Sequence, residues 1–247
     1  MLGKINSFEE YSKEYAASVQ NPERFWAEKA NSFSWRKKWD SVLNWNFSEP
    51  NINWFQNGKL NITENCLDRH LEEFGDRDAI IWEPNNPNEK EVRLTYSQLH
   101  REVCKVANML KNNGAKKGDR ICLYMPMIPE LAISVLACAR IGAIHSVVFA
   151  GFSAKALSDR IQDCDCNIVI TANEGYRGAK TIPLKEIVDE SLKNCPGIKR
   201  SIIFKRTDKQ TLMMEGRDVW WHEEMDSVSD DCPAEEMDSE DLLFILY

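Results

Sequence analysis

The stretch from Asp119 to Lys180 constrains the fold more than any other part of the chain, because its hydrophobic pattern alternates between strand and helix. Arg120-Ile-Cys-Leu-Tyr-Met125 is an apolar run of strand length, closed by Pro126 and Pro129. From Glu130 to Arg140, Leu131, Val135, Leu136 and Ala139 fall on one helical stripe, and Gly142 stops it. Ala143-Ile-His-Ser-Val-Val-Phe149 is the next strand, and Ser153 stands where it can cap a helix over 154–163. Asn167-Ile-Val-Ile-Thr171 is the third strand. Strands joined by crossover helices are expected to be parallel, with both sheet faces covered. Ligands of such sheets gather at the carboxyl ends of the strands, beside helix N-termini. Two segments stand at such ends, Phe149 to Ser153 and Arg177 to Lys180.

Composition narrows the class. A chain of 247 residues that is 43% hydrophobic and 28% charged can bury a core of ordinary globular size. No apolar run approaches the ~20 residues of a membrane helix, and Met-Leu-Gly-Lys-Ile-Asn-Ser at the N-terminus lacks an apolar signal core. A cytoplasmic protein is expected, without a membrane or nucleic-acid partner, since no extended Lys/Arg stripe is present. The net charge of −8 is local: residues 222–241 hold ten Asp or Glu and no Lys or Arg, which leaves 29 acids against 31 bases elsewhere. That segment reads as a solvated connector. Most of the eight cysteines sit inside apolar patterns, as Cys104, Cys122 and Cys138 do. Cys164-Asp-Cys166 is the one close pair, and without His or a second pair it makes no zinc set. No metal site is expected.

Ser7-Phe-Glu-Glu10 is a capping box opening a helix to about Ser18, and Asn21-Pro22 opens a second. Aromatic residues then crowd between Trp35 and Phe55, and that segment is expected to be irregular, with its rings packed on a core surface. Residues 63–74 carry Leu67, Leu71 and Phe74 on one stripe of a single predicted helix. Asp78 to Trp82 and Glu91 to Leu94 form a hairpin, and Thr95-Tyr-Ser-Gln98 is another capping box, for a helix to about Asn113. Beyond Lys180 the pattern predicts a helix over 184–194, a strand over 201–204, and an aromatic packing segment at 218–222. Leu242 to Tyr247 reads as a strongly apolar strand whose neighbours are partly missing, and an uncovered edge of that kind invites self-association.

Several longer motifs carry a family resemblance. They are Trp54-Phe-x-Asn-Gly-x-Leu-Asn61, Asn65-Cys-Leu-Asp-Arg-His-Leu71, Tyr124-Met-Pro-Met-x-Pro-Glu130 and Ala139-Arg-Ile-Gly-Ala-x-His-Ser-Val-x-Phe149. Gly151-Phe-Ser153, Glu215-Gly-Arg-Asp-x-Trp-Trp-His222 and Leu243-Phe-Ile-Leu-Tyr247 complete the set. The chain resembles the N-terminal part of the AMP-forming acetyl-coenzyme A synthetases, within the adenylate-forming superfamily. The resemblance implies an α/β fold with a largely parallel sheet and flanking helices. In it, residues 63–247 are the first, incomplete part of the large AMP-forming domain, and residues 1–62 are a helical, aromatic-rich extension. It implies acetate, ATP with Mg, and coenzyme A as substrates of a longer parent, in which the ATP phosphate loop follows Phe-Ile-Leu-Tyr247. No catalytic residue is expected within this chain, and the chain alone is expected to be inactive.

The resemblance also assigns a coenzyme A site. Glu174-Gly-Tyr-Arg-Gly-Ala-Lys180 is similar to the family segment that contacts the nucleotide end of coenzyme A, which marks Arg177, Gly178, Ala179 and Lys180. Arg offers a forked donor to phosphate oxygens, Lys a mobile point charge, and Gly close backbone approach. Phe149, Ala150 and Gly151 resemble the lining of the pantetheine tunnel, although a strand-to-helix turn would need Gly151 in any case. His145, in an apolar strand with no nucleophile or metal set beside it, reads as a core histidine, and Trp82 as packing. Three functions stay open: an acetate–CoA ligase fragment, a ligase for another short acyl chain such as propionate, and a non-catalytic coenzyme A or nucleotide binding module.

Overall fold

The computed structural model describes residues 4–178 and 180–247, which form two compact units. The first unit runs to residue 69 and takes in Glu236–Asp241. Helix α1 (Phe8–Gln20) is capped by Ser7, whose side chain accepts from the Glu10 amide, and α2 (Pro22–Ala30) by Asn21, which accepts from Arg24. The crowded aromatic segment is not irregular. β1 (Ser41–Asn46) and β2 (Asn51–Gln56) pair antiparallel, with Leu43 opposite Trp54 and Trp45 opposite Ile52. β-branched and aromatic residues in register across strands stabilise such a ladder. β3 (Lys59–Leu60) precedes α3 (Ile62–Cys66), whose cap is Asn61. Leu67 then leaves the helical region (φ −124°, ψ −68°), so the single helix expected over 63–74 is broken.

The second unit holds His70–Glu235 and Leu242–Tyr247. α4 (Leu71–Phe74) leads to the antiparallel pair β4 (Asp78–Trp82) and β5 (Val92–Thr95). α5 (Tyr96–Asn112) opens with a complete capping box, Thr95 and Gln98 each bonding the other's backbone amide. β6 (Arg120–Tyr124), α6 (Pro129–Arg140), β7 (Ile144–Val147), α7 (Ala154–Asp163) and β8 (Ile168–Ala172) come next, as the sequence pattern predicts. The short hairpin β9 (Gly175–Arg177) and β10 (Lys180–Ile182) leads to α8 (Leu184–Leu192), β11 (Arg200–Phe204), β12 (Asp218–Trp220) and α9 (Trp221–Met225). β13 (Met237–Asp238) returns to pair with β3 in the first unit, and β14 (Phe244–Ile245) closes the element order.

Among the described residues, six strands form one sheet in the order β12-β11-β8-β6-β7-β14, and every pairing in it is parallel. The expected α/β class with a parallel sheet and flanking helices is what the chain adopts. Ile121, Leu123, Ile168, Ile170, Ile202 and Ile203 are fully or almost fully buried in its central strands. β7 and β8 lie on opposite sides of β6, so the strand order reverses there, and such a reversal opens a crevice at the carboxyl ends. β14 is shorter than the expected 242–247 strand: two residues pair with β7, and Leu242 and Leu246 are exposed.

The acidic segment is also more anchored than a solvated connector. Within the second unit Cys232 is buried, its carbonyl accepts from Arg140 Nε at 2.6 Å, and Asn108 donates to the Ser229 and Asp231 carbonyls. Periodicity misses this because the anchoring groups are backbone carbonyls. His145 is the core histidine expected: it is 7% exposed, its Nδ1 finds no hydrogen-bond partner among the described residues, and burial lowers its pKa to about 4.

Candidate functional site

The reversal of strand order produces a cavity of about 710 Å³, the size of a small-ligand site. Its wall is built from the segments that leave the strands at their carboxyl ends. Met125 to Ile128 come after β6, Val147 to Ala150 with Phe152 at and after the end of β7, Gly175 to Gly178 after β8, and Arg206 after β11. Each of these segments is held by a specific local bond. The Tyr124 hydroxyl, from a fully buried ring, donates to the Phe152 carbonyl at 2.8 Å, and burial raises that phenol to about 12. Ser153 accepts from the Ala156 amide and starts α7 directly behind the turn. Gly151 serves the turn itself: a Cβ there would stand 2.5 Å from the Phe149 ring. Phe149 and Phe152 meet edge to face at 5.7 Å, and both remain partly open to the cavity.

Asn173, 3% exposed, organises the next two segments. Its Oδ1 accepts from the amides of Glu174, Arg206 and Thr207 at 2.9, 2.8 and 3.2 Å, and its Nδ2 donates to the Thr207 carbonyl. One buried amide thus ties the end of β8 to the loop beyond β11. The β9–β10 hairpin grows from that base. Arg177 lies opposite Lys180 in its register, so both side chains leave the same face of the ribbon. Gly178 makes the turn at φ +59°, a conformation that favours glycine, and its carbonyl accepts from Asn85 Nδ2 at 3.0 Å. Arg177 and Lys180 have no carboxylate partner among the described residues, and both are exposed.

Two further arginines reach the cavity. Arg160 on α7 lies 4.8 Å from the Phe152 ring and 5.2 Å from the Tyr247 ring. Arg206 lies 5.4 Å from each of the Trp82 and Tyr176 rings, and its guanidinium bonds the Glu89 carboxylate at 2.5 Å. Trp82 donates from Nε1 to the Met127 carbonyl at 2.7 Å, which pins the β4–β5 hairpin beside the cavity. Beside Arg206, burial lifts the Glu130 carboxyl, and the guanidinium partly opposes that rise. The arrangement can hold an elongated ligand with an anionic end at the β9–β10 hairpin and an apolar body against Phe149 and Phe152. No group of three or more His, Cys, Asp or Glu side chains is placed to hold a metal ion among the described residues.

Of the residues marked from the sequence, Phe149, Ala150, Arg177 and Gly178 line this one cavity. Gly151 and Lys180 stand next to it without lining it, and Ala179 lies outside the described residues. Sequence reading misses Arg206, Arg160 and Asn85, and it gives Trp82 only a packing role. A usable signal existed for Arg206, because Lys205-Arg206-Thr207 directly follows a strand of the parallel sheet.

The chain is similar to several known proteins. Residues 67–247 match the model of the AMP-binding enzyme family, and residues 11–66 match that of the acetyl-coenzyme A synthetase N-terminus. An acetyl-coenzyme A synthetase of Alkalilimnicola ehrlichii is 53% identical over 238 residues, 96% of this chain and 37% of that protein. Acetyl-coenzyme A synthetase 2 of Pseudomonas aeruginosa is 52% identical over 240 residues, 97% of this chain and 37% of that protein. The chain therefore spans little more than a third of the length of these relatives. Among solved structures, the acetoacetyl-CoA synthetase from Streptomyces lividans superposes with a TM-score of 0.85 at 23% identity, over 94% of this chain and 35% of that one, a likeness of fold. With its large unit matched from residue 67 to its last residue, the chain belongs to the AMP-binding enzyme family.

Proposed function

We propose that this chain is the N-terminal part of an AMP-forming acetate–CoA ligase and that its own contribution is the site for the nucleotide end of coenzyme A. The observation that carries this reading is the pair Arg177 and Lys180, side by side on one face of a hairpin at the carboxyl end of the sheet, with no carboxylate partner among the described residues. In the overall reaction acetate and Mg-ATP give acetyl-AMP and diphosphate. The coenzyme A thiol then attacks the acyl carbon, and AMP leaves with the electron pair of the broken acyl–phosphate bond. Within this scheme Arg177 and Lys180 hold ligand phosphates, Gly178 lets them approach, and the turn at Phe149, Ala150 and Gly151 guides the apolar arm inward. The ATP phosphates and Mg, the choice between acetate and propionate, and the chemistry of both steps fall to residues outside this chain. We place the protein in the cytoplasm as an enzyme of acetate metabolism, an assignment supported by eight cysteines that all stand as free thiols.

The test separates the two half-reactions in a full-length protein carrying this sequence. Arg177→Ala weakens coenzyme A binding about tenfold, the low end for charge-assisted hydrogen bonds because the group is exposed. Lys180→Ala acts in the same direction more weakly, since a point charge lacks the fork. Acetyl-AMP formation, followed by diphosphate exchange, stays at the wild-type rate in both. Equal damage to both half-reactions, or none to coenzyme A binding, refutes the assignment. The exposed apolar edge at β14 further supports self-association of this chain when it is isolated. Sedimentation velocity should show oligomers that Phe244→Lys disperses, and a monomer at high concentration counts against it.

A further inference from the structure

Arg206 is a cavity cation held from three sides, and the sequence motifs do not mark it. Its backbone amide is held by the buried Asn173, and its guanidinium lies over both the Trp82 and Tyr176 rings, 5.4 Å from each. Aromatic rings attract a planar cation and limit where it can swing, and an arginine fork suits a phosphate. The remaining contact is unusual for a ligand-facing cation. Glu89, from the loop between β4 and β5, bonds the guanidinium at 2.5 Å, and both side chains are partly open, at 21% for Arg206 and 26% for Glu89. Glu89 itself does not line the cavity, whereas Arg206 does. The carboxylate thus occupies Nη2, one of the guanidinium donors on which a ligand phosphate would draw.

We propose that Arg206 is a further phosphate-binding residue for the nucleotide end of coenzyme A, and that Glu89 is its built-in competitor. This rests on the reading of Arg177 and Lys180 given above. The hairpin tip that presents them is tied through Gly178 to Asn85, which lies on the same β4–β5 loop as Glu89. One loop thus positions the hairpin and supplies the anion that occupies the third cation. A ligand phosphate displaces the carboxylate by ion-pair exchange, with no covalent change. Glu89 sets how strongly an anion must bind before Arg206 is released to it, which favours a multiply charged ligand over a singly charged one.

The prediction is one of opposite signs. In the full-length protein, with coenzyme A affinity read by calorimetry, Arg206→Ala weakens binding about tenfold. Glu89→Gln keeps the size of the side chain, removes the competing charge, and tightens binding about three- to fivefold. The double variant matches Arg206→Ala alone, because Glu89 acts only through Arg206. Arg206→Lys retains the charge without the fork and falls between wild type and Arg206→Ala. Diphosphate exchange serves as the control for folding and stays unchanged. A merely structural ion pair gives the same sign for both single variants, with both weakening the ligand, and that result overturns the proposal. So does Glu89→Gln with unchanged affinity. Arg177→Ala runs in parallel to keep the two readings apart. If it leaves coenzyme A binding intact, the site assignment itself fails. If it weakens binding while Arg206→Ala does not, the site stands and the Arg206 inference falls.

Discussion

His145 shows how a single side chain carries stability rather than chemistry. Buried in β7 and stacked on Phe244 at 5.6 Å, it is held neutral by desolvation, with a pKa of about 4 against an ordinary value near 6.5. The unfolded chain binds this proton more readily than the folded one, so stability rises with pH across that window. The contribution is complete above about pH 6.5, is lost as pH falls, and is gone below about 4, a total of about 3 kcal/mol at 1.36 kcal/mol per unit. Urea unfolding of wild type and His145→Gln should show curves whose separation changes between pH 6.5 and 4 and is constant above 7. A separation independent of pH would mean that folding leaves the proton affinity of His145 unchanged. At this scale the sequence was legible for placement: Arg177 and Lys180 come out opposite one another on a hairpin beyond a strand end. Arg206 was not legible, since its role depends on Trp82 and Tyr176, which are remote from it in the chain and from each other.

Between elements, a deeply buried set of ion pairs joins α8 to β12. Lys185, 2% exposed, pairs with Asp189 at 2.7 Å and with the wholly buried Asp218 carboxylate at 2.8 Å. Arg217 bonds both carboxylates, so two cations and two anions close on one another. Burial alone would raise the Asp218 carboxyl, but the Arg217 and Lys185 hydrogen bonds outweigh it and leave the group below the usual value. Removing one partner from such a set strands a buried charge. Lys185→Met should cost about 3 kcal/mol, the lower end for a broken buried pair because Arg217 remains. Thermal unfolding should then fall by about 6–12 °C for a unit of this size, and a fall below 2 °C would show that water reaches Asp218 freely. Elements with caps were legible: Ser7, Asn21, Thr95 and Ser153 all start helices where the sequence places them. The break at Leu67 was not, because a buried leucine satisfies the same apolar stripe whether or not its backbone is helical. The β1–β2 ladder was hidden by its asparagines, which disfavour strands in isolation and are carried by the aromatic cross-strand pairs.

In the molecule as a whole, the parallel sheet was legible but its strand order was not. The alternating pattern over 119–180 is satisfied equally by β8 beside β7 or beside β6; in the observed order, α5 packs on α6 and α7 on α8. That order has a consequence in time. β14 covers the outer edge of β7, yet Phe244 pairs with His145, about 100 positions earlier in the chain. At about 5–20 residues per second of synthesis, the strand that ends the sheet is made about 5–20 seconds after the strand it protects. For that interval one flank of β7 has peptide groups and apolar side chains with no partner from its own sheet. Ribosome-arrested chains should therefore crosslink to a chaperone at β7 until residues 242–247 have emerged, and a crosslink lost earlier would show that another segment covers the flank first. The arrival of β14 thus sets how long this flank of the growing chain depends on outside help.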